Sequence, residues 1–456
     1  MSTASNRRAA QGETRRSFLK KTATLAAAAA TPALLKTPVY GQNQAPSANV
    51  TGANNRIIIG VIGTGKQGTT HLKMFKTEAA PHNIAVGAVC DLYQKHLNGA
   101  REFMGLTDKD AYNDHRRLLE RKDLDAVLIA TVDNWHGQCS LDALDAGKHV
   151  YCEKPMTRYA AEGWDVYDKV KSTGKIYQCG SQYTADPMIH KVAEWVKAGK
   201  LGPLVWAQGS YCRNNKNNDE WEFPVDKDAS PANLDWERWQ GRAKKIPWGE
   251  EAAHRYFSWH KYYDYNSGIL GNLLSHRFYP LMLATGNPEF PNRVVCTGTR
   301  KVSTNREITD TTHVLAEFPS GLTFVIVGTT VNEVGLPDII RGRKATVYLA
   351  ASANQAKLQP EKLFADEMDV EEFSDPTPHG RIEHLHANYY QCIREGGVPF
   401  CNVDLSVRAN TTLALAEMSE RLGIVCFFDE KTRAIHTGDG KVVPAMSYDT
   451  VPPKLS

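Results

Sequence analysis

"RIIIGVIGTGKQG", residues 56–68, decides the fold. Ile57–Ile62 is an unbroken apolar run, the pattern of a strand buried on both faces of a parallel sheet. Gly63, Gly65 and Gly68 follow in G-x-G-x-x-G spacing and lead into a helix predicted over 66–77. Glycines so spaced allow a tight turn, close approach of the backbone to a pyrophosphate, and close packing of helix on strand. The helix start, at Lys66 and Gln67, supplies oriented N–H groups for the anion. A glycine triplet alone is a weak signal, so its surroundings matter.

Those surroundings agree. "IAVGAVC" (84–90) reads as a second strand, with Asp91 at its end. A carboxylate there accepts hydrogen bonds from both ribose hydroxyls and repels a 2′-phosphate. Leu92 and Tyr93 follow, leaving no Arg or Ser for that phosphate, so the expected cofactor is NAD rather than NADP. The alternation continues with a strand at 125–131, a helix from 135 capped at Gly147, a strand at 148–152, a helix at 159–172 ending at Gly174, and a strand at 175–180. The expected fold class is α/β, with a doubly wound, dinucleotide-binding sheet over 56–180.

"VYCEKPMT" (150–157) puts Glu153-Lys154-Pro155 at the carboxyl end of a sheet strand, where ligands of open α/β sheets bind. Proline holds the residue before it in extended backbone, which narrows the directions open to Lys154. A lysine fixed beside a nicotinamide can hydrogen-bond a substrate hydroxyl and help take its proton. On these residues alone, a surface lysine in a strand-to-loop turn reads as well.

The stretch resembles the E-K-P motif of the glucose–fructose oxidoreductase, inositol dehydrogenase and rhizopine-catabolism (Gfo/Idh/MocA) family. "GVIGTGKQG", "ATVDNWHGQCSLDALDAGKHVYCEKPMT" and "LDWERWQG" extend the likeness over most of residues 56–440. The resemblance implies that Lys154 joins the catalytic group and that Thr131, Asn134, His136 and Glu153 lie along the cofactor. It also implies a second α/β domain, expected over 181–440, with an open, mostly antiparallel sheet that pairs copies of the chain into a homo-oligomer. The residues themselves offer a helix near 187–198, then strands in "PLVWAQGSY", "RVVCTGTRKV" and "THVLAEFPSGLTFVIVGTTV", the last turning at "FPSGL".

One departure stands out. The family places an acidic residue four before a histidine on one helix, a spacing that puts both on one face. In "NSGILGNLLSHRFYP" the histidine is His276, but the acidic position holds Asn272. An amide orients a neighbour but takes no proton. The expectation is that Lys154 and His276 share the proton work and Asn272 positions substrate. Between these motifs, residues 213–265 carry five of the nine tryptophans beside Arg213, His254, His260 and Tyr263. The aromatics serve either to pack an irregular excursion or to stack on sugar rings. Arg213, His260 and Tyr263 are the candidates for substrate contact.

"TRRSFLKK" (14–21), the apolar stretch Ala23–Leu35 and "VYGQ" have the order of a twin-arginine export signal, cut after Gly41 and followed by a linker over 42–55. The expected partner is the twin-arginine translocation machinery, and the expected location the periplasm or beyond. The whole chain has 54 Lys and Arg against 51 Asp and Glu, net +3, while residues 1–41 hold seven basic side chains and one acidic. The remainder is therefore mildly acidic, about −3, with no basic face for nucleic acid. No later segment reaches the roughly twenty apolar residues of a membrane span. Nine cysteines show no C-x-x-C pair and no metal spacing, and several lie in apolar strands, so they are expected to be free, buried thiols. No metal site is expected, and 441–456 reads as a tail.

A protein exported already folded has to carry its nucleotide with it. One reading is then an oxidoreductase acting on a hydroxyl of a sugar or sugar derivative, with NAD recycled in place. Another is a redox-assisted glycosidase or lyase working through a transient keto-sugar; the intact "CEKP" favours the former, since the resembling glycosidases depart from it. A third is a non-catalytic, NAD-loaded carbohydrate-binding protein.

Overall fold

The computed structural model describes residues 55–217 and 220–449. The expected export signal, the linker before Asn55 and the end of the tail lie outside the described residues. Six strands build the first sheet: β1 (Ile57–Ile62), β2 (Ile84–Cys90), β3 (Ala111–Tyr112), β4 (Ala126–Ile129), β5 (His149–Cys152) and β6 (Tyr177–Cys179). All neighbours pair parallel in the order β3-β2-β1-β4-β5-β6. The order reverses between β1 and β4, opening a crevice at their carboxyl ends where such sheets take ligands. The two-residue β3 has no apolar run to announce it.

Helices α1 (Lys66–Glu78), α2 (Gln94–Met104), α3 (His115–Leu119), α4 (Asp133–Asp145) and α5 (Ala160–Thr173) link these strands. α1 turns His71, Leu72, Phe75 and Glu78 inward, a buried stripe at helical spacing that includes two titratable side chains. Both α2 and α5 end on a left-handed glycine, Gly105 and Gly174.

After α6 (Pro187–Lys197) the second sheet begins with β7 (Leu204–Cys212). It continues, beyond short helices α7 (Trp236–Trp239) and α8 (Glu250–Phe257) and helix α9 (Ser275–Ala284), with β8 (Arg293–Thr299), β9 (Thr311–Glu317), β10 (Thr323–Thr329), β11 (Asp338–Gly342), β12 (Ala345–Ala350), β13 (Gln355–Pro360) and β14 (Glu371–Ser374). Three short strands, β15 (Cys426–Phe428), β16 (Ile435–His436) and β17 (Val442–Val443), complete it beyond β8. Every pair is antiparallel except β7 with β10. β9 and β10 form the expected hairpin, closed by Phe318 N–H to the Leu322 carbonyl at 2.9 Å, with Gly321 at φ +86°.

Two late helices, α10 (Ile382–Glu395) and α11 (Val403–Leu422), return to the first sheet. Gln178 on β6 donates to the Leu385 carbonyl at 2.6 Å, and the Cys179 N–H to the Cys401 carbonyl at 2.9 Å. Trp164 on α5 donates to Thr411 at 3.0 Å. Arg158 and Glu417 form a fully buried bidentate ion pair at 2.6 and 2.8 Å. α11 also lies on the second sheet, where Cys296 N–H donates to Ser419 Oγ at 2.9 Å. The other face of that sheet presents Leu315 and Tyr348 to solvent. All nine cysteines are free, and all but Cys212 are buried.

Candidate active site

The glycine loop shows three different needs. Gly63 sits at φ +87°, and an added Cβ would meet the Ala130 carbonyl. A Cβ on Gly68 would lie 2.0 Å from the Gly63 carbonyl oxygen, so this position serves the close contact of α1 with the turn. Gly65 differs: its φ is an ordinary −65°, and the nearest heavy atom to an added Cβ is 3.8 Å away, on His96. The protein's own packing leaves open the space beside Gly65, at the α1 N-terminus where an anion gains most. Asp91 is held over this loop, its Oδ2 accepting from Thr64 N–H at 2.7 Å and its Oδ1 from Tyr93 N–H at 2.8 Å.

On the far side of the crevice, Thr131, Asn134 and His136 stand at the start of α4. His136 is buried between two carbonyls, Pro155 at 2.7 Å from Nδ1 and Thr131 at 3.2 Å from Nε2. Both ring nitrogens must donate, so the ring is held as imidazolium. Burial opposes this, but Cys152, Asp133 and the Pro155 carbonyl outweigh it and push the pKa up to about 10. Asn134 donates to the Gln240 carbonyl at 3.1 Å, and its Oδ1 is buried with no partner. An open cradle at Gly65, a fixed carboxylate at Asp91 and this orphaned oxygen together fit a dinucleotide.

Lys154 leaves the end of β5 and donates from Nζ to the Asn272 carbonyl at 3.1 Å. Asn272 lies in a π-helical turn, Leu270–Leu274, that runs directly into α9. Wide turns of this kind are frequent at functional sites. His276 follows on α9, with the rings of Tyr183 and Tyr211 at 5.4 and 5.6 Å. His260 stacks on Trp259 at 3.7 Å and faces Trp221 and Phe223. Both histidines are held neutral. Burial, then Lys154 and Lys66, take His260 down to about 3. Burial, then Lys154, Arg277 and Arg213, take His276 well below its usual value. The Nδ1 of each is buried without a hydrogen-bond partner. Arg213 stands at the rim, bound to Glu220 at 2.9 Å and Tyr211 at 3.0 Å.

The network also explains the amide at 272. Asn266 donates from Nδ2 to the carbonyls of Trp259 and Tyr262 at 2.9 and 2.8 Å, which leaves its Oδ1 as an acceptor. Asn272 Nδ2 supplies the proton at 2.9 Å. A carboxylate at 272 has none to give. The Asn272 side chain therefore braces the loop that carries His260, and its carbonyl rather than its amide meets Lys154.

Not every expected residue comes to this site. Tyr263 turns away: its ring lies 4.1 Å from the Arg421 guanidinium, and its carbonyl accepts from Arg158. Two residues downstream of Lys261, the chain has already bent toward α11. Trp236 and Trp239 stack on each other at 5.1 Å, and Trp239 contacts Tyr256 and Tyr265, so this pair packs the excursion. Glu153 binds His71 and Gln67 at 2.7 and 3.0 Å, which ties it to the helix that follows the glycine loop. Conversely, Tyr183, Tyr211 and Asp133 come to the site unexpectedly. The Asp133 Oδ2 is buried and unpartnered. Burial lifts its carboxyl to about 6 against the pull of His136, Lys154 and Arg158. Its signal was available, since it lies inside the same motif as Asn134 and His136.

Among the described residues, no group of three or more His, Cys, Asp or Glu is placed to hold a metal. No helix there is long and apolar enough to cross a membrane.

Comparison with known proteins agrees with this geometry. Residues 57–181 match the family model of Gfo/Idh/MocA oxidoreductases, NAD-binding Rossmann fold, and residues 190–442 match the model of their C-terminal alpha/beta domain. An inositol 2-dehydrogenase of Salmonella typhimurium is 28% identical over 153 residues, 33% of this chain and 45% of that protein. A glycosyl hydrolase family 109 protein of Shewanella woodyi is 28% identical over 162 residues, 34% of each chain. The match thus spans under half the length of these curated relatives. A levoglucosan dehydrogenase solved with NADH and levoglucosan superposes with a TM-score of 0.61 at 17% identity, over 80% of this chain and 96% of that one. The chain belongs to the Gfo/Idh/MocA oxidoreductase family, and residues 57–181 are that family's NAD-binding Rossmann domain.

Proposed function

We propose that the protein is an NAD-dependent oxidoreductase acting on a hydroxyl of a sugar or sugar derivative. The observation that carries this is Lys154, set at the carboxyl end of β5 with two neutral histidines around it. NAD, when bound, supplies the hydride acceptor. A substrate hydroxyl within reach of Lys154 and His276 meets a positive charge that stabilises an alkoxide and a neutral ring able to accept the proton. Burial and the cations of Lys154, Arg277 and Arg213 hold His276 neutral, which leaves the ring free to accept a hydrogen bond from the hydroxyl while lowering its affinity for the proton. Trp221, Trp259 and Phe223 give the flat apolar wall against which a sugar ring packs. The inositol and levoglucosan dehydrogenases among similar proteins support a polyol or sugar as substrate.

The basic and apolar start of the chain supports export by the twin-arginine pathway, with the nucleotide carried along and recycled within the catalytic cycle. A redox-assisted glycosidase is the second reading. It is favoured by likeness to the glycosyl hydrolase family 109 protein and by Asn272, which leaves no carboxylate at the position the family usually uses.

The test is a panel of labelled sugars and glycosides incubated with protein purified without added cofactor. Paired oxidation and reduction supports the oxidoreductase; release of an aglycone supports the glycosidase. No change in any sugar sinks both, and so does a turnover that falls less than about tenfold in Lys154→Ala.

A further inference from the structure

Behind Lys154, on the face of the sheet away from the substrate crevice, four buried side chains join end to end. Glu153 Oε1 meets His71 Nε2 at 2.7 Å, His71 Nδ1 meets His386 Nε2 at 3.0 Å, and His386 Nδ1 meets both Glu78 oxygens at 3.1 Å. The residues come from β5's end, α1 and α10, and none of them serves the chemistry described above. His71 and His386 are 0% and 1% exposed, so these contacts are shut off from bulk solvent.

Proton counting constrains the chain. Each of the three contacts needs one proton between its two heavy atoms. Two ionised carboxylates and two neutral imidazoles bring only two. Both carboxylates would then hold the N–H groups at the ends, leaving two lone pairs facing each other at 3.0 Å between the rings. A third proton is required. With it, four arrangements satisfy every contact: imidazolium at His71, imidazolium at His386, a protonated Glu153, or a protonated Glu78. Each converts to the next by one hop along an existing hydrogen bond, in which one N–H or O–H bond breaks as another forms and no proton enters or leaves.

We propose that Glu153, His71, His386 and Glu78 form a proton wire that offsets the charge of Lys154, its extra proton withdrawing toward Glu78 when Lys154 is an ammonium and advancing toward Glu153 when that charge is lost. The inference rests on the reading of Lys154 as a group that exchanges a proton with substrate. Glu153 lies within the electrostatic reach of Lys154, and its own peptide N–H neighbour is that of Lys154, at 3.2 Å. The other groups facing the wire are few. Gln67 donates to Glu153 at 3.0 Å and its Nε2 stands 3.3 Å from His71 Nε2, Tyr390 donates to Glu78 at 2.7 Å, the Tyr151 ring packs on both histidines, and His82 lies beside Tyr390. Glu78, by Tyr390 and His82, is thus the far terminus. His71, His386 and Glu78 are positioning residues, touching neither substrate nor nucleotide.

The experiment is nitrogen NMR of histidine-labelled full-length protein, free of any substrate, in wild type, Lys154→Met, His386→Phe and the double variant. The wire predicts that both wild-type rings carry hydrogen-bonded protons and that Lys154→Met moves the His71 Nε2 signal from the N–H toward the lone-pair position. It predicts no such movement in the His386→Phe background, where His71 has a single proton and cannot give it up. Identical His71 signals in wild type and Lys154→Met overturn it; so does an equal movement with and without His386, which is the mark of a merely structural disturbance. If His386→Phe does not fold, the comparison of wild type with Lys154→Met decides alone. Turnover is measured on the same samples: unchanged activity in Lys154→Met with a moved His71 signal overturns the role of Lys154 and leaves the wire standing.

Discussion

At the scale of single residues, the site is governed by which atoms have somewhere to send a proton. Asn272 illustrates this, because its amide is chosen by Asn266 rather than by substrate. Asn272→Asp would set a carboxylate against a carbonyl oxygen in a buried position, and a loss of about 1–3 kcal/mol of stability is expected by chemical denaturation. A gain in stability would show that the loop re-pairs. Gly65 makes the opposite case, as the protein has room for a side chain there. Gly65→Val should fold like wild type while bound nucleotide per chain, measured after denaturation, falls at least about tenfold; retention of nucleotide would mean that the open space is not the pyrophosphate's. The glycine triplet, Asp91, Lys154 and His276 were legible in the sequence because each belongs to a short motif. Asn266, Tyr183 and Tyr211 were not, since nothing local distinguishes them from ordinary loop and strand residues.

At the scale of elements, α11 shows how one helix keeps two carboxyls in opposite states. Glu417 lies between Arg158 and Arg421; burial works against its charge, but the two guanidiniums hold its pKa below the ordinary value. Glu420, one turn on, is buried with hydroxyl partners, and burial, helped by the Glu417 charge, raises it to about 7 against the pull of Thr312, Thr309 and Arg421. A carboxyl whose pKa is raised on folding stabilises the fold while protonated. That contribution is full below the ordinary value of 4.5 and is lost as pH rises through about 7. Glu420→Gln keeps the acceptor for Thr312 and removes the titration. The variant is expected to lose this part of the pH dependence and to exceed wild type by about 1–3 kcal/mol at pH 8. Equal stability of the two proteins across pH 5–8 would refute the assignment. The strand and helix pattern of residues 56–180 could be read from apolar runs and glycine caps, and the hairpin at 318–322 from its turn. The π-helical turn at 270–274 could not, because it depends on how the helix is wedged between Lys154 and the second sheet rather than on its composition.

At the scale of the whole molecule, the second sheet leaves Leu315 and Tyr348 exposed on the face opposite α11. Apolar side chains on one open sheet are a reason to expect a second copy against it. Leu315→Lys with Tyr348→Asp should lower the mass measured by light scattering to that of one chain; an unchanged mass would place the contact elsewhere. The sequence alone determined the parallel sheet, its nucleotide loop and the lysine before proline, since these follow from periodicity and from steric rules that act within about thirty residues. Only the tertiary structure decided what surrounds them. It alone brought His386 to His71, Glu417 to Arg158 and His260 to Lys154, joining segments separated by long stretches of chain. The physical reason is that burial and hydrogen-bond satisfaction are properties of the assembled interior, where a side chain's charge is set by neighbours that its own segment does not contain.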